Sequence, residues 1–303
     1  LDEMGEQGRL AEFIRVNEAL HESNIAAIAQ DIIAKRRRVV LVAGPSSSGK
    51  TTFTQRLGVQ IKVREKRPVM ISLDNYYIDR DKIPKDENGK VDLEAITTLD
   101  LPLLNEHLLQ LLEGQEVQIP QFNFKKGKRE PGKVLRLREN EILLLEGIHG
   151  LNDELTQAIL DEDKYKIYIS ALTQLNLDRH NRIPTTDVRL LRRMVRDYKH
   201  RGSSVERTLD MWPSVRRGED TWIFPFQESC DAMFNSTLVY ELLYLKQLAY
   251  PLLQAVPRES PYFAETNRLV KFLQYFVDPG ADQSDIPKTS ILREFIGGGC
   301  FEQ

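Results

Sequence analysis

The chain has 303 residues, of which 41% are hydrophobic and 29% are charged, and its formal net charge is −3. A chain of this composition can bury a substantial core, and the small net charge argues against bulk electrostatic binding of nucleic acid. No apolar run reaches the roughly 18 residues of a membrane span, and the two cysteines, Cys230 and Cys300, lack metal-ligand spacing, so we expect reduced thiols in a cytoplasmic protein.

The chain begins with the sequence LDEMGEQGRLAEF, without an initiator methionine. This start predicts a piece of a longer protein, with another domain upstream. Residues 10–35 then carry apolar side chains near helical spacing, which predicts a helix. We therefore expect residues 1–38 to form a helical lead-in to the next domain.

Short apolar runs and helical patterns alternate over the middle of the chain. The runs predict strands at residues 39–43, 69–73, 142–145, 167–169 and 232–234, and the patterns predict helices at residues 51–63, 101–113 and 153–160. Continuous apolar strands that alternate with helices are typical of a parallel sheet covered on both faces. The predicted fold class is therefore α/β, with three layers and a central parallel sheet of about five strands.

Two more segments complete this organisation. Residues 117–120 and 134–137 flank a basic turn and predict an inserted β-hairpin. An amphipathic pattern at residues 262–276 predicts a late helix, which an acidic linker separates from the final sequence TSILREFIGGGCF. We expect residues 39–256 to form one domain and residues 257–303 to form a helical extension packed on it.

The first predicted strand runs into the sequence GPSSSGKTT. Its first eight residues, Gly44, Pro45, Ser46, Ser47, Ser48, Gly49, Lys50 and Thr51, fit the phosphate-loop pattern G-x-x-x-x-G-K-[ST]. Between a strand and a helix, such a loop directs backbone N–H groups at phosphate oxygens, and the helix adds its positive end. We expect Lys50 to reach the β- and γ-phosphates of ATP and the Thr51 hydroxyl to bind Mg²⁺, with Thr52 as a further candidate ligand.

Motifs of other phosphate-loop proteins are missing from the sequence. It contains neither the Asn-Lys-x-Asp motif of regulatory GTPases nor the Leu-Ser-Gly-Gly signature of ABC transporters. The strand at residues 142–145 ends in the single carboxylate Glu146, whereas motor and AAA-type ATPases usually have two acids there. These differences favour a small-molecule kinase.

A kinase of this kind needs a base for the acceptor hydroxyl and a carboxylate near Mg²⁺. Asp74 follows the strand at residues 69–73, and Glu146 ends the strand at residues 142–145. The carboxyl ends of parallel strands meet at one edge of the sheet, where ligands bind. Asp74 is therefore the candidate base, and Glu146 is the candidate magnesium ligand. The alternatives are a helix-capping or turn Asp for Asp74 and a plain strand-terminal acid for Glu146.

The segment DVRLLRRMVRDYKHRG, residues 187–202, supplies cations for a moving phosphoryl group. On a helix, Leu190, Leu191, Met194, Val195 and Tyr198 form an apolar stripe, and Arg189, Arg192, Arg193 and Arg196 lie largely off it. Arginine binds phosphate oxygens bidentately, although a solvated basic face is the alternative. Gly202 is a candidate hinge for a mobile lid that excludes water during transfer.

Several motifs taken together resemble one family. The sequences GPSSSGKTT, ISLDNYY, VQIPQFNF, ILLLEGIHG and TTDVRLLRRMVRDYKHRG are similar to those of the uridine kinase and phosphoribulokinase family from about residue 39 to 253. LTQLNLDRHNRIPTTD, WPSVRRGE and SILREFIGG resemble a bacterial uridine-kinase-like branch, whose kinase commonly follows a TGS and threonyl-tRNA-synthetase-like region. The resemblance implies a phosphate-loop kinase that uses ATP and Mg²⁺ and forms a homo-oligomer.

The resemblance also implies roles for individual residues. Asp74 matches the catalytic base, Glu146 the acid near Mg²⁺ and Arg189 an arginine that contacts the ribose. Arg192, Arg193, Arg196 and Arg201 match arginines of a helical lid over the phosphates. Tyr76 and Tyr77 fall in the adjoining substrate segment, and Phe122 and Phe124 match two aromatics that line the base pocket, although alternating residues of a strand also share one face as plain hairpin core.

The sequence differs from that of uridine kinases at two segments that bind the acceptor in those enzymes. Gly127 stands where uridine kinases have a histidine that binds the pyrimidine edge. Their Asp-His-Pro-Asp segment, which holds the ribose hydroxyls, is replaced by VDLEAITTLD, in which Glu94 or Asp92 are candidate substitutes. A site that has lost a hydrogen-bond partner discriminates less strongly.

Three functions remain open on the sequence. The first is phosphorylation of the 5′-hydroxyl of uridine or a related nucleoside by ATP. The second is a kinase for another small alcohol, such as a sugar phosphate or a pantothenate-like compound. The basic turn residues Lys125, Lys126, Lys128 and Arg129 would favour an anionic acceptor, and a solvated basic turn is the alternative. The third is an ATP-binding regulatory or RNA-associated module with little turnover.

Overall fold

The computed structural model describes residues 9–83, 92–176, 179–278 and 282–301. Its strands are β1 (Val39–Ala43), β2 (Arg67–Ser72), β3 (Glu116–Asn123), β4 (Lys128–Arg136), β5 (Glu141–Glu146), β6 (Lys164–Ser170) and β7 (Ala232–Asn235). Five of them form a parallel sheet in the order β2–β5–β1–β6–β7, and β3 and β4 form a separate antiparallel hairpin. The predicted α/β fold with a central five-stranded parallel sheet is confirmed.

The apolar strand sequences explain why this sheet is central. All five residues of β1 and all seven of β6 are buried. Strands buried on both faces need helices on each side, which the crossover connections of a parallel sheet supply. The carboxyl ends of β1, β2 and β5 therefore meet at one edge, with Ser72 paired to Glu146 in register.

Helices cover both faces of the sheet. They are α1 (Leu10–Ala34), α2 (Lys50–Val63), α3 (Leu101–Leu112), α4 (Thr185–Arg201), α5 (Val205–Trp222), α6 (Glu241–Gln254), α7 (Phe263–Leu273) and α8 (Arg293–Ile296). One apolar core joins α1, α2, α4, α5, α6, α7 and α8 to one face of the sheet. A second core joins α3 and the hairpin to the other face. Helices α5 and α6 were not predicted; Pro213 and Pro251 lie inside them and interrupt the sequence pattern.

The helix predicted at residues 153–160 is wrong. Only a 3₁₀ turn, Asp153–Thr156, forms there. The side-chain amide of Asn105 on α3 donates to the Leu155 carbonyl at 3.0 Å and accepts from the Ala158 N–H at 3.0 Å. Because Asn105 satisfies these two backbone groups, the segment gains little from continuing as a helix.

The three predicted segments share one core. Ile14 from the lead-in and Phe295 from the extension pack in the same apolar cluster as strand residues of the sheet. Residues 1–8, 279–281 and 302–303 of those segments lie outside the described residues, and the boundaries at residues 38 and 256 stay predictions. Within the described ranges, no helix combines the length and apolarity needed to cross a membrane.

His21 on α1 makes the stability of this core depend on pH. Its ring is 5% exposed, lies 5.0 Å from the ring of Phe234 and has Nε2 3.3 Å from the Thr237 carbonyl. Burial, with the nearby charges of Arg56 and Arg192, lowers the pKa of His21 to about 4. An unfolded histidine has a pKa of about 6.5, so below that pH the unfolded chain takes up a proton that the folded chain does not.

We predict that His21→Gln, which still donates to the carbonyl but does not titrate, loses less stability in acid than the parent chain. When the pH falls from 7 to 4, the free energy of unfolding of the parent chain should decrease by about 3 kcal/mol more than that of the variant. Urea unfolding of both proteins at several pH values measures this difference. A difference that is constant with pH would contradict the prediction.

Candidate active site

The phosphate-loop sequence connects β1 to α2 at the carboxyl edge of the sheet. Helix α2 starts at Lys50, and Gly49 immediately before it has a φ of +86°, which favours glycine. The Lys50 ammonium donates to the carbonyls of Gly44 at 2.9 Å and Pro45 at 3.1 Å. Burial lowers the pKa of Lys50, and the charges of Glu146, Glu294 and Asp74 oppose this shift. The loop thus places a half-buried cation next to three acids.

Thr51 and Glu146 meet at this edge. The Thr51 hydroxyl donates to the Glu146 carboxylate at 3.4 Å. Burial raises the pKa of Glu146 to about 7, and the neighbouring charge of Asp74 adds to the shift. The Thr51 hydroxyl oxygen and the Glu146 carboxylate, both of which can act as metal ligands, are therefore neighbours.

Asp74 lies in a 3₁₀ turn, Leu73–Tyr76, directly after β2. Burial raises the pKa of its carboxyl, while the charges of Lys50 and Arg201 and a hydrogen bond from the Tyr77 hydroxyl lower it. The structure thus brings Asp74 together with Lys50 and Glu146, as the strand order predicts.

Tyr77, which donates a hydrogen bond to Asp74, belongs to a cluster of three aromatic rings. Tyr77, Phe122 and Phe124 pack edge to face, with centroids 5.1 to 6.4 Å apart. Phe124 is 53% exposed, so plain hairpin core does not describe its position. Tyr76 is separate from this cluster, because it is fully buried and its hydroxyl lies 3.2 Å from Nδ1 of His107 on α3.

Gly127 lies in the hairpin turn with a φ of +66°. A Cβ at this position would meet Cδ of Arg80 at 2.6 Å, and the Arg80 N–H donates to the Gly127 carbonyl at 2.9 Å. The Arg80 side chain therefore occupies the space into which a larger residue at position 127 would extend.

Glu94 lies against helix α5. A Cβ on Gly218 would come within 2.3 Å of the Glu94 Cβ. Burial raises the pKa of Glu94 to about 7, the charge of Arg193 opposes the shift, and Glu219 adds to it. Glu94 is thus on the arginine side of the phosphate loop, and Asp92, the other candidate, accepts a hydrogen bond from the Glu94 N–H at 3.0 Å.

Three arginines of α4 hold the phosphate loop from outside. Arg189 donates to the Ser46 carbonyl at 3.0 Å, Arg193 to the Ser46 hydroxyl at 2.8 Å and Arg192 to the Ser47 carbonyl at 3.3 Å. Their side chains are almost completely buried, so the alternative of a solvated basic face does not apply to them.

Buried carboxylates neutralise two of these arginines. Arg189 pairs with Glu219, and Arg192 pairs with Glu241 at 2.6 Å. The Arg192 and Glu241 side chains are 0% and 1% exposed, so this ion pair lies in the core. The structure therefore does not place Arg192 in a lid over the phosphates. Tyr198, which the sequence places in the apolar stripe of this helix, is 55% exposed.

Arg196 and Arg201 lie farther along α4. Arg196 pairs with Asp197 at 2.8 Å and is close enough to Lys50 to lower its pKa. Arg201 is 59% exposed, and its charge lowers the pKa of Asp74. These two arginines, with Gly202 ending the helix at a φ of +62°, remain the candidate lid cations.

Sequence reasoning missed three carboxylates that contact the loop or its arginines. Glu219 accepts from the Ser46 N–H at 3.2 Å, Glu241 pairs with Arg192, and Glu294 accepts from the Thr52 N–H at 3.0 Å. Glu219 and Glu294 fall inside WPSVRRGE and SILREFIGG, which carried the resemblance and were the available signal. Nothing in the sequence near Glu241 marked it.

The donor set fits Mg²⁺ with a phosphate ligand. Mg²⁺ prefers oxygen donors and takes one or two carboxylates together with substrate phosphates and water. Thr51 and Glu146 supply such donors, and the raised pKa of Glu146 reflects a half-buried carboxylate that a cation would stabilise. Among the described residues no cluster of three His, Cys, Asp or Glu side chains could hold a metal ion, so the phosphates would have to complete the coordination.

A sequence profile of the phosphoribulokinase / uridine kinase family matches residues 39–241. The chain belongs to this family. The match includes the phosphate loop, Asp74, the hairpin, Glu146 and the arginines of α4.

Individual relatives agree with this assignment. A uridine kinase of Halalkalibacterium halodurans is 30% identical over 185 residues, which are 61% of this chain and 79% of that protein. A uridine kinase of Halobacterium salinarum is 29% identical over 191 residues, 63% of this chain and 76% of that protein. The structure of a proposed fructose transport system kinase from Silicibacter sp. TM1040 superposes with a TM-score of 0.50 at 16% identity, over 69% of this chain and 98% of that one, and shows likeness of fold alone.

Proposed function

We propose that the chain transfers a phosphoryl group from ATP to the 5′-hydroxyl of uridine or a related nucleoside. The observation that carries this proposal is the position of Asp74, which is close to the phosphate-loop lysine and accepts a hydrogen bond from Tyr77, a member of the aromatic cluster. Family membership supports a small-molecule kinase in general. The uridine kinases among the relatives support a nucleoside acceptor.

Each residue at this edge has a role in that reaction. Asp74 accepts the proton of the attacking hydroxyl, and Tyr77 orients its carboxylate by a hydrogen bond. Lys50 and the loop N–H groups hold the phosphates, and Arg196 and Arg201 approach the transferred group from α4. Thr51 and Glu146 would hold Mg²⁺, whose positive charge stabilises the charge that develops on the phosphates.

The remaining arginines position the loop. Arg189, Arg192 and Arg193 bind backbone and side-chain oxygens of Ser46 and Ser47. They keep the loop in the conformation that accepts phosphate and leave Arg196 and Arg201 as the arginines that face the reacting groups.

The aromatic cluster is the proposed acceptor platform. Stacking of a base on aromatic rings tolerates different bases, because every base has a π face. The histidine that binds the pyrimidine edge in uridine kinases has no counterpart at Gly127, and Arg80 fills that space. We therefore propose a nucleoside acceptor with Arg80 beside the base, and Glu94 as a candidate for a ribose contact.

A second candidate is an acceptor alcohol of another class. The presence of Arg80 at the turn favours it, because a guanidinium also binds an anionic group. Two of the four cations in the turn are already neutralised, since Arg129 pairs with Asp100 and Lys126 with Glu130, both at 2.8 Å. The turn is thus less cationic than its sequence suggests, which favours the neutral nucleoside.

Other expectations remain proposals. We propose a cytoplasmic enzyme of pyrimidine salvage that forms a homo-oligomer and that follows a TGS and synthetase-like region in a longer chain.

The deciding experiment is ADP release with ATP and Mg²⁺ over a panel of acceptors, with the product mass confirmed. The panel contains uridine, cytidine, thymidine, adenosine, guanosine, ribulose 5-phosphate and pantothenate. We expect turnover with a pyrimidine nucleoside. Turnover confined to a non-nucleoside alcohol would support the second candidate, and ATP binding without turnover on any acceptor would contradict both.

We predict that Phe124→Ala raises KM for the nucleoside by about tenfold, the size expected for loss of one stacking surface, and leaves KM for ATP unchanged. Tyr275→Ala is the matched control, because Tyr275 is 71% exposed and outside the site. Steady-state kinetics with each substrate varied in turn makes the measurement. An unchanged KM for the nucleoside in Phe124→Ala would show that the aromatic cluster does not bind the acceptor.

A further inference from the structure

The C-terminal tail, defined as residues 290–298, packs on the phosphate loop. Its apolar side chains Ile291, Leu292, Phe295 and Ile296 are at most 1% exposed. A Cβ on Gly49 would lie 2.4 Å from Cγ2 of Ile291, and Lys199 on α4 donates to the Ile296 carbonyl. The tail is therefore anchored on both sides of Glu294.

Glu294 reaches the start of helix α2. Its Oε2 accepts a hydrogen bond from the Thr52 N–H at 3.0 Å, and both residues are buried, at 8% and 5% exposure. The first N–H groups of a helix have no partner within that helix and attract anions. The Glu294 carboxylate thus satisfies the Thr52 N–H, which directly follows the last residue of the phosphate-loop pattern, Thr51.

The same N–H belongs to the phosphate cradle. In a loop of this type, the backbone N–H groups at the helix start hold the α- and β-phosphates. The single hydrogen of Thr52 N–H cannot be donated fully to both a phosphate oxygen and the Glu294 carboxylate. The two anions would also repel each other across a buried site, where screening by water is weak.

The charge of Glu294 acts on the whole site. It raises the pKa of Lys50 and of Glu146. Glu294 is therefore near the loop lysine and the candidate metal ligand, which are the groups that face the phosphates in the proposed reaction. The hydrogen bond between Glu294 and the Thr52 N–H consequently lies within the proposed phosphate-binding region.

We propose that Glu294 is an intramolecular competitor of the phosphate groups of the donor and thereby sets the affinity for the nucleotide. The inference rests on the proposed function, because it requires that the loop binds a nucleoside triphosphate. Rotation of the Glu294 side chain frees the Thr52 N–H, while the buried apolar residues keep the tail in place. The carboxylate therefore stays close to the loop and rebinds when the phosphates leave.

The test is the dissociation constant of ATP, measured by isothermal titration calorimetry on the unmodified chain and on Glu294→Gln. Glutamine keeps the size of the side chain and removes its charge. We expect ATP to bind about three- to tenfold more tightly to Glu294→Gln, the scale of one anion at a helix start. Inorganic tripolyphosphate should bind more tightly by the same factor, because Glu294 competes with the phosphate groups and not with the nucleoside.

Asp285→Asn is the matched control. It removes the same charge from an exposed residue just before the tail, and its affinities should stay within a factor of two of the parent values. If Glu294→Gln does not fold, Glu294→Asp serves instead, since the shorter side chain withdraws the carboxylate from the Thr52 N–H and should also tighten phosphate binding.

The sign of the change decides the inference. Equal or weaker ATP binding by the Glu294 variants would overturn it and would show that the carboxylate supports the charge of Lys50. Failure of every chain to bind ATP or tripolyphosphate would overturn the proposed function as well. Binding by the parent chain with no gain in the variants would overturn the competition alone.

Discussion

Replacing Asp74 by asparagine is expected to lower kcat by about a hundredfold or more, which is the contribution of a positioned general base. Asparagine keeps the size of the side chain but cannot accept a proton. The Lys50 ammonium donates to the carbonyls of Gly44 and Pro45, and the substitution leaves both hydrogen bonds in place. The affinity for ATP should therefore change little, and the loss should fall on kcat.

Steady-state kinetics and ATP titration on the same preparations make this test. Asp81→Asn is a suitable control, because Asp81 is an exposed acid in the same connection and should leave kcat unchanged. Full activity of Asp74→Asn would show that Asp74 is not the general base. Loss of ATP binding together with activity would show that Asp74 serves the phosphate site rather than the acceptor.

Replacing Arg192 by alanine is expected to lower the free energy of unfolding by about 3–5 kcal/mol, the cost of leaving one buried charge without its partner. The Arg192 guanidinium donates to Glu241 at 2.7 Å and to the Ser236 carbonyl at 2.9 Å, and it lies 4.9 Å from the centre of the Phe295 ring. Its removal leaves the Glu241 carboxylate in the core, where burial already raises its pKa.

A second variant separates this structural role from a role in a lid. Arg201→Ala should change the free energy of unfolding by less than about 0.5 kcal/mol, because Arg201 is mostly exposed, and should act on turnover instead. Urea unfolding measures both stabilities. The double variant Arg192→Met/Glu241→Leu should recover most of the lost stability, since an apolar pair replaces the buried ion pair. Equal stability of Arg192→Ala and the parent chain would contradict this account.

Local chemistry made part of this structure predictable. The strands of the sheet are continuous apolar runs, and the phosphate loop requires a short pattern of glycine, lysine and threonine between a strand and a helix. Parallel strand order then places Asp74 and Glu146 at one edge, which the structure confirms by the register of Ser72 with Glu146. These features depend on residues that are adjacent in sequence or on the geometry common to parallel sheets.

The partners of the arginines depended on tertiary structure. Helical periodicity places Arg189, Arg192 and Arg193 on faces of α4, but it does not show what packs against those faces. Carboxylates from α5 and α6, 30 and 49 residues away, neutralise Arg189 and Arg192. A basic helix face that would otherwise be solvated thereby becomes part of the core. The helix predicted at residues 153–160 failed for the same kind of reason, because Asn105 on α3 takes up its backbone groups.

The chemistry of phosphate binding can be predicted from residue order alone, because one contiguous loop and the start of one helix carry it. The contacts that hold the loop, and the anions that reach it, depend on the packing of distant segments. Glu294 is 242 residues from Thr52 in the chain, and no periodicity or spacing connects two residues so far apart. Packing of the apolar side chains on either side of Glu294 brings it to the loop, and that packing exists only in the folded core.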